Sequence, residues 1–261
     1  MKYKFKTEPY EHQLEALKRS WNKKEYAYFM EMGTGKSKVL IDNIAILYDK
    51  GGINGAVIIA PKGVYRNWSG KEIPAHMPDH VERHVGVWNP APTKLQKREL
   101  MKLFEVSPEL KILIINVEAF STKKGVAFVE KFILAHNTLI AVDESTTIKN
   151  PKAQRTKNLL KLAINSKYRR ILTGFPVTQS PLDLYSQSAF LSTQLLGYSS
   201  YYSFQNRYAK VINRSMGQRT FRQVVGYQNI EELTDNVKEF SYRVLKKECL
   251  DLPDKVYQRR E

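Results

Sequence analysis

Met30-Glu31-Met32-Gly33-Thr34-Gly35-Lys36-Ser37 follows an apolar run at residues 26–29 and opens a second apolar-periodic run at residues 39–47. The order is strand, glycine-rich turn, helix, which is the setting a phosphate-binding loop requires. Gly33 and Gly35 lack a Cβ, so the backbone between them can fold tightly and turn its N–H groups inward. The N-terminus of the following helix adds partial positive charge and unpaired donors. Lys36 supplies a point charge for outer phosphates, and the Ser37 hydroxyl is a Mg²⁺ ligand by type. Met32 and Thr34 complete the backbone of the cradle. The strict eight-residue pattern begins with glycine, and Met30 stands in its place. Read locally, an ordinary strand-to-helix turn carries the same letters, so a second phosphate-site element has to decide.

The chain of 261 residues is long enough for one large α/β domain or two small ones. Its N-terminus, Met1-Lys2-Tyr3-Lys4-Phe5-Lys6, has no apolar core of a secretory signal, and no apolar run approaches a membrane span. The single cysteine, Cys249, excludes an intramolecular disulfide and suits a reducing cytosol. A cytoplasmic protein without a membrane partner is the expectation. The formal net charge is +16, and most of it is concentrated: residues 145–230 hold thirteen lysines and arginines against one acid, Asp183. A local surplus of +12 points to a polyanionic partner, the other reading being a basic surface kept for solubility.

Apolar runs at residues 26–30, 56–60, 111–117, 138–142 and 170–172 read as buried strands, with a further strand at 84–88. Helices are expected at 9–17, 36–48, from Pro61 through Trp68 up to a break at Pro74, and at 93–104, 126–134, 153–164 and 181–191. Short strands alternating with helices mean βαβ units, hence an α/β fold with a mainly parallel central sheet and helices on both faces. Right-handed crossovers bring the strand C-termini to one edge, where Gly35, Pro61, Asp143 and Thr173 should converge. Residues 198–228 are aromatic and basic without clear periodicity and read as an insertion or hairpin. A helix at 230–240 and a last strand at 242–245 follow, and Leu252-Pro253-Asp254-Lys255 reads as a turn.

Leu139-Ile140-Ala141-Val142-Asp143-Glu144 supplies the second element. An acidic pair at the end of a buried strand is costly unless a cation or a reacting group requires it. Asp143 is suited to hold the Mg²⁺ that Ser37 contacts, and Glu144 to orient and deprotonate an attacking water. Strand-end carboxylates capping the next helix are the plain alternative.

With that pair in place the chain resembles the first, RecA-like P-loop lobe of a superfamily 2 helicase, closest to the Swi/Snf-like double-stranded DNA translocases. Tyr10-Glu11-His12-Gln13 resembles the Q motif, in which Gln13 would read adenine. Residues 31–37 resemble motif I, which in this branch often lacks the first glycine. Ala60-Pro61-Lys62 through Trp68 resembles motif Ia, and Asn116-Val117-Glu118 motif Ib. Val142-Asp143-Glu144-Ser145-Thr146, continuing to Asn150, resembles motif II, and Leu172-Thr173-Gly174-Phe175-Pro176 motif III. The resemblance implies ATP and Mg²⁺ as ligands, with Lys36, Asp143 and Glu144 in the chemistry and Thr146 and Thr173 relaying nucleotide state. Two positions depart from the family: Thr146 stands where histidine is usual, and Phe175 replaces a common threonine. Residues 1–252 would form the lobe, and residues 253–261 would start a linker to a second lobe carrying further ATP-site arginines. The lobe alone would then turn over almost no ATP, and the motor is expected to act as a monomer.

The resemblance also places DNA near Lys62 and Arg66. A second candidate surface is Arg207, Lys210, Arg214, Arg219 and Arg222, interleaved with Tyr201, Tyr202, Phe204, Tyr208 and Phe221. Such a surface gives salt-dependent, sequence-independent affinity for a duplex, while the aromatics serve either base stacking or the core. Trp68 reads as a packing anchor. His76, His80 and His84 share a helical spacing, but two prolines interrupt it. Two other function classes share the loop: a different P-loop enzyme such as a kinase, and a non-hydrolysing DNA-binding module.

Overall fold

The computed structural model describes residues 3–216 and 219–249, so the turn at 252–255 and the linker expected at 253–261 lie outside the described residues. The chain runs α1 (Glu11–Ser20), β1 (Glu25–Met30), α2 (Lys36–Asp49) and β2 (Gly55–Ala60). The short helices α3 (Tyr65–Asn67) and α4 (Ile73–His76) lead to β3 (Arg83–Val87), α5 (Lys94–Met101) and β4 (Leu110–Asn116). Next come α6 (Lys123–Ala135), β5 (Thr138–Asp143), α7 (Gln154–Ala163), β6 (Tyr168–Leu172), α8 (Leu184–Leu191) and α9 (Tyr201–Tyr208). A hairpin of β7 (Ala209–Met216) and β8 (Arg219–Tyr227) precedes α10 (Ile230–Glu239), β9 (Ser241–Val244) and α11 (Lys246–Cys249).

Seven strands form one sheet in the order β3-β4-β2-β5-β6-β1-β9, and every neighbouring pair in it is parallel. The continuous apolar runs are explained by the pleat, which sends alternate side chains to opposite faces. Val57, Ile59, Leu113, Ile115, Ile140 and Val142 join one core. Ala56, Ile58, Ile112, Ile114, Leu139 and Ala141 join the other. Helices α6, α7, α8 and α10 cover the first face, and α1 and α2 the second.

Two features correct the sequence reading. Pro74 does not break the helix that contains Trp68. Residues Trp68–Glu72 form a π turn, closed by the Ile73 N–H on the Trp68 carbonyl, and α4 continues from it with Pro74 in its first turn. A wider turn and a helix start are where a missing N–H costs least. The basic surplus is also partly internal. Arg170 is fully buried and donates to Asn43 Oδ1 (3.0 Å) and to the carbonyls of Ser20 (3.0 Å), Lys23 (2.8 Å) and Lys24 (3.1 Å). Arg169 pairs with Glu25, and Lys149 lies 3.6 Å from Asp183.

The segment at 198–228 is α9 followed by the antiparallel hairpin, with a bulge between Lys210 and Val211. Its aromatics divide: Phe204 and Tyr208 are fully buried, whereas Tyr202 and Phe221 are exposed. The three spaced histidines diverge, His76 meeting Thr7, His80 meeting Asp49 and His84 meeting the Glu99 carbonyl. No helix among the described residues is long and apolar enough to cross a membrane.

Candidate functional site

The loop forms as β1 runs into α2, and both of its glycines have φ of 86°, the left-handed region that suits glycine. Thr34, buried between them, donates its hydroxyl to the Glu31 carbonyl at 2.7 Å and so pins the turn. The Thr34 carbonyl is held from outside by Gln13 Nε2 (3.0 Å) and meets His12 Nε2 at 2.8 Å. Gln13 Oε1 also accepts the Tyr10 N–H at 3.1 Å, so the start of α1 is tied to the loop through one amide. A Cβ at Gly35 would lie 2.2 Å from Gln13 Nε2, so any other residue here would displace that amide as well as strain the left-handed backbone. Lys36 and Ser37 open α2 and stay partly exposed, while Met32 projects into solvent.

Strand β6 separates β1 from β5, with Leu172 in register with Tyr28 on one side and Asp143 on the other. That arrangement sets Asp143 and Glu144 across Thr173 from the loop. Asp143 Oδ2 accepts the indole N–H of Trp68 at 3.1 Å, and Oδ1 accepts the Glu144 N–H at 3.0 Å. Burial, reinforced by the charge of Glu144, pushes the Asp143 carboxyl up to about 6, with Trp68 and Lys36 opposing the rise. Its single carboxylate and the Ser37 hydroxyl suit Mg²⁺, which keeps waters and substrate phosphates for its remaining positions.

Glu144 takes a left-handed conformation (φ 49°), a strain of about 1–3 kcal/mol for a residue with a Cβ. The turn aims its side chain at β6, where Thr173 Oγ1 donates to Glu144 Oε2 at 3.2 Å and accepts the Phe175 N–H at 3.2 Å. Thr173 is thus a bridge between the acidic pair and the segment after β6. A second bridge runs from Ser145, whose hydroxyl donates to Gln187 Oε1 at 2.6 Å. Gln187 Nε2 in turn donates to the carbonyls of Pro176 (2.7 Å) and Asp183 (2.8 Å). Asp183 Oδ2 accepts from the N–H groups of Thr178 (3.0 Å) and Gln179 (2.9 Å) and from the Thr178 hydroxyl (2.9 Å). Burial works against that carboxylate, but those donors and Lys149 hold it below its ordinary range. Thr146 lies in the short 3₁₀ turn between the bridges, and its hydroxyl makes no hydrogen bond among the described residues.

Of the residues expected to face DNA, Lys62 and Arg66 are exposed beyond the end of β2, with the Arg66 guanidinium over the Tyr65 ring. Lys210 and Arg214 are exposed on β7, and Arg219 opens β8. Arg222 donates to Asn206 at 2.6 Å, and Arg207 is turned onto Glu232. The sequence reading missed the polar role of Trp68, taken only as a packing anchor, and the parts played by His12 and Gln187. Trp68 lay within motif Ia, so a signal was present; nothing in the local sequence marks Gln187.

Residues 13–261 match the SNF2-related domain. The chain belongs to that family. This SNF2-related lobe is 27% identical over 234 residues to the mouse DNA annealing helicase and endonuclease ZRANB3, covering 88% of the lobe and 20% of that protein. It is 36% identical over 120 residues to the Saccharomyces cerevisiae TATA-binding protein-associated factor MOT1, covering 45% of the lobe and 6% of MOT1. The chain therefore spans a fifth or less of these relatives. Among solved structures it resembles the Sulfolobus solfataricus SWI2/SNF2 ATPase core in complex with dsDNA, with a TM-score of 0.69 and 23% identity. That match covers 94% of the lobe and 46% of the archaeal chain, and it establishes a shared fold. The matched segment includes both the loop at residues 30–37 and the acidic pair Asp143–Glu144.

Proposed function

We propose that the lobe binds ATP with Mg²⁺ and serves as one half of a motor that couples ATP hydrolysis to movement along double-stranded DNA. The observation that carries this reading is the Thr173–Glu144 hydrogen bond, which joins the acidic pair on β5 to the segment after β6, beside the loop on β1. Lys36 and the loop N–H groups hold the phosphates, and Gln13 keeps one N–H and one lone pair free for adenine beyond its present bonds. Ser37 and Asp143 would hold Mg²⁺, which when bound would supply charge to offset that of the phosphates. Glu144, oriented by Thr173, takes the proton of the attacking water.

The DNA part rests on the exposed cations Lys62, Arg66, Lys210 and Arg214, with the SWI2/SNF2 core bound to dsDNA as the fold relative. Phosphate contacts of this kind carry no sequence information, which suits a protein that slides. Arg207 contributes less, because Glu232 already neutralises it. Residues 1–252 act as one lobe, and a second lobe would complete the site. An arginine donated across the cleft between lobes contributes about 10³–10⁵ in rate, so residues 1–261 alone are expected to bind nucleotide yet hydrolyse it slowly. The test is nucleotide binding by residues 1–261 together with DNA-stimulated ATP hydrolysis by the full-length protein. Lys36→Ala should abolish the first and Glu144→Gln only the second. Robust turnover by residues 1–261 alone, or Glu144→Gln turning over normally, would sink the mechanism.

A further inference from the structure

We infer that Lys246, which follows the last strand, is a second phosphate-contacting lysine of the nucleotide site; the inference rests on the reading of residues 30–37 as the nucleotide loop. The backbone around Lys246 is fixed to the loop. Strand β9 pairs with β1 so that Val244 stands opposite Met30. The Glu31 N–H donates to the Val244 carbonyl at 3.1 Å, and Glu31 Oε2 accepts the Lys246 N–H at 2.7 Å. Glu248 Oε2 accepts the Leu245 N–H at 2.8 Å and closes the turn from the other side. The carboxylate of Glu31 thus holds the main chain of Lys246 and leaves its ammonium to point elsewhere.

The side chain lies along the loop. Its Cε and Nζ stand 3.6 and 3.7 Å from the place a Cβ on Gly33 would occupy. Gln13 covers Gly35 more closely, at 2.2 Å from the corresponding Cβ position, so two side chains from outside the loop flank its two glycines. Lys246 is half-buried as a residue, and its ammonium makes no hydrogen bond or ion pair among the described residues. Held beside the loop with no carboxylate on it, an ammonium is open to an anion, and as a compact point charge with three donors it suits phosphate. With Lys36 at the start of α2 and Lys246 over Gly33, a nucleoside diphosphate or triphosphate would meet a cation on each flank of the loop. The ligand class is set by that pair, since adenosine without phosphates would reach neither.

The experiment is a titration of residues 1–261 with a fluorescent ADP analogue at low salt, with unlabelled adenosine as competitor. A charge-assisted hydrogen bond lost from the site weakens ADP about tenfold or more. Lys246→Met should show that loss while adenosine competes as it does against the wild type, and Lys246→Arg should bind within about threefold of wild type. ADP bound equally by Lys246→Met and wild type, with Lys36→Ala unable to bind, overturns the role of Lys246 and spares the loop. If Lys36→Ala also binds normally, the loop reading fails and this inference with it. Should Lys246→Met melt earlier than wild type, Lys246→Arg decides: an arginine variant as weak as the methionine one overturns the inference.

Discussion

Trp68→Phe removes one N–H from the site and leaves most of the packing in place. The indole donates to Asp143 Oδ2 at 3.1 Å, and Asp143 already sits at about 6 because burial and Glu144 disfavour its charge. A hydrogen bond to a charged group contributes about 1.5–3 kcal/mol, and about 1.4 kcal/mol corresponds to one pH unit. Losing the indole therefore moves the ionisation midpoint of Asp143 up by about one to two pH units. At pH 7 the wild-type carboxylate is about nine-tenths ionised, while the variant falls to between about one-half and one-tenth. Mg²⁺ takes the ionised form, so apparent Mg²⁺ affinity should drop about two- to ten-fold at pH 7 and by less than about twofold at pH 9. The assay is a Mg²⁺ titration of fluorescent ADP binding at several pH values. Coincident curves for the two proteins at pH 7 would refute the argument. So would a deficit as large at pH 9 as at pH 7, since that pattern belongs to lost packing.

Other expectations concern the charges that the fold buries and those it leaves free. Arg170→Met strips donors from Asn43 and four carbonyls and should cost at least about 3 kcal/mol, a melting point lower by roughly 6–12 °C; a change under 2 °C would show those groups solvated. Lys38 and Asp42 form a buried pair at 2.9 Å on α2. Lys38→Met should lose about 3–5 kcal/mol at pH 7, whereas Lys38→Met with Asp42→Leu should come out near neutral. Asp42 lies at about 6, above its unfolded value, so its folded form binds the extra proton. Its contribution to stability rises as pH falls from about 6 toward about 4, and denaturation of the Lys38→Met variant should show that rise amplified. On DNA, removing Lys210 and Arg214 together should reduce the slope of log affinity against log salt by about two, and Arg207→Ala should change it little.

The fold was largely legible because both faces of the sheet are covered. Runs such as Ala56–Ala60 within β2 are apolar throughout, and only a buried parallel strand requires that. The loop glycines and the Asp143–Glu144 pair were legible because their chemistry tolerates few substitutes. Pro74 misled because a proline breaks a helix only where its N–H is needed, and the π turn before it cannot be read from local propensity. Arg170 misled for a related reason. Its neighbour Arg169 meets a carboxylate and Arg170 meets carbonyls at the end of α1 and in the turn before β1, which are partners about 150 residues away in sequence. Thr173 and Gln187 likewise reach their partners only across strand or helix packing. Sequence identifies which groups are polar and leaves open which of them the fold will pair.

The position of β1 in the sheet also has a consequence for how the protein is made. This strand emerges early in synthesis, but its neighbours β6 and β9 are encoded roughly 140 and 210 residues later. Closing such separations is entropically costly, and contacts between distant segments form slowly. The ribosome therefore releases the glycine loop among the first segments, and the loop gains its strand neighbours among the last. On the growing chain, residues 30–37 have to wait for most of the lobe before β1 is enclosed. If the loop takes a nucleotide as proposed, only a nearly assembled lobe would bind it, which makes nucleotide capture a late reporter of the lobe's assembly.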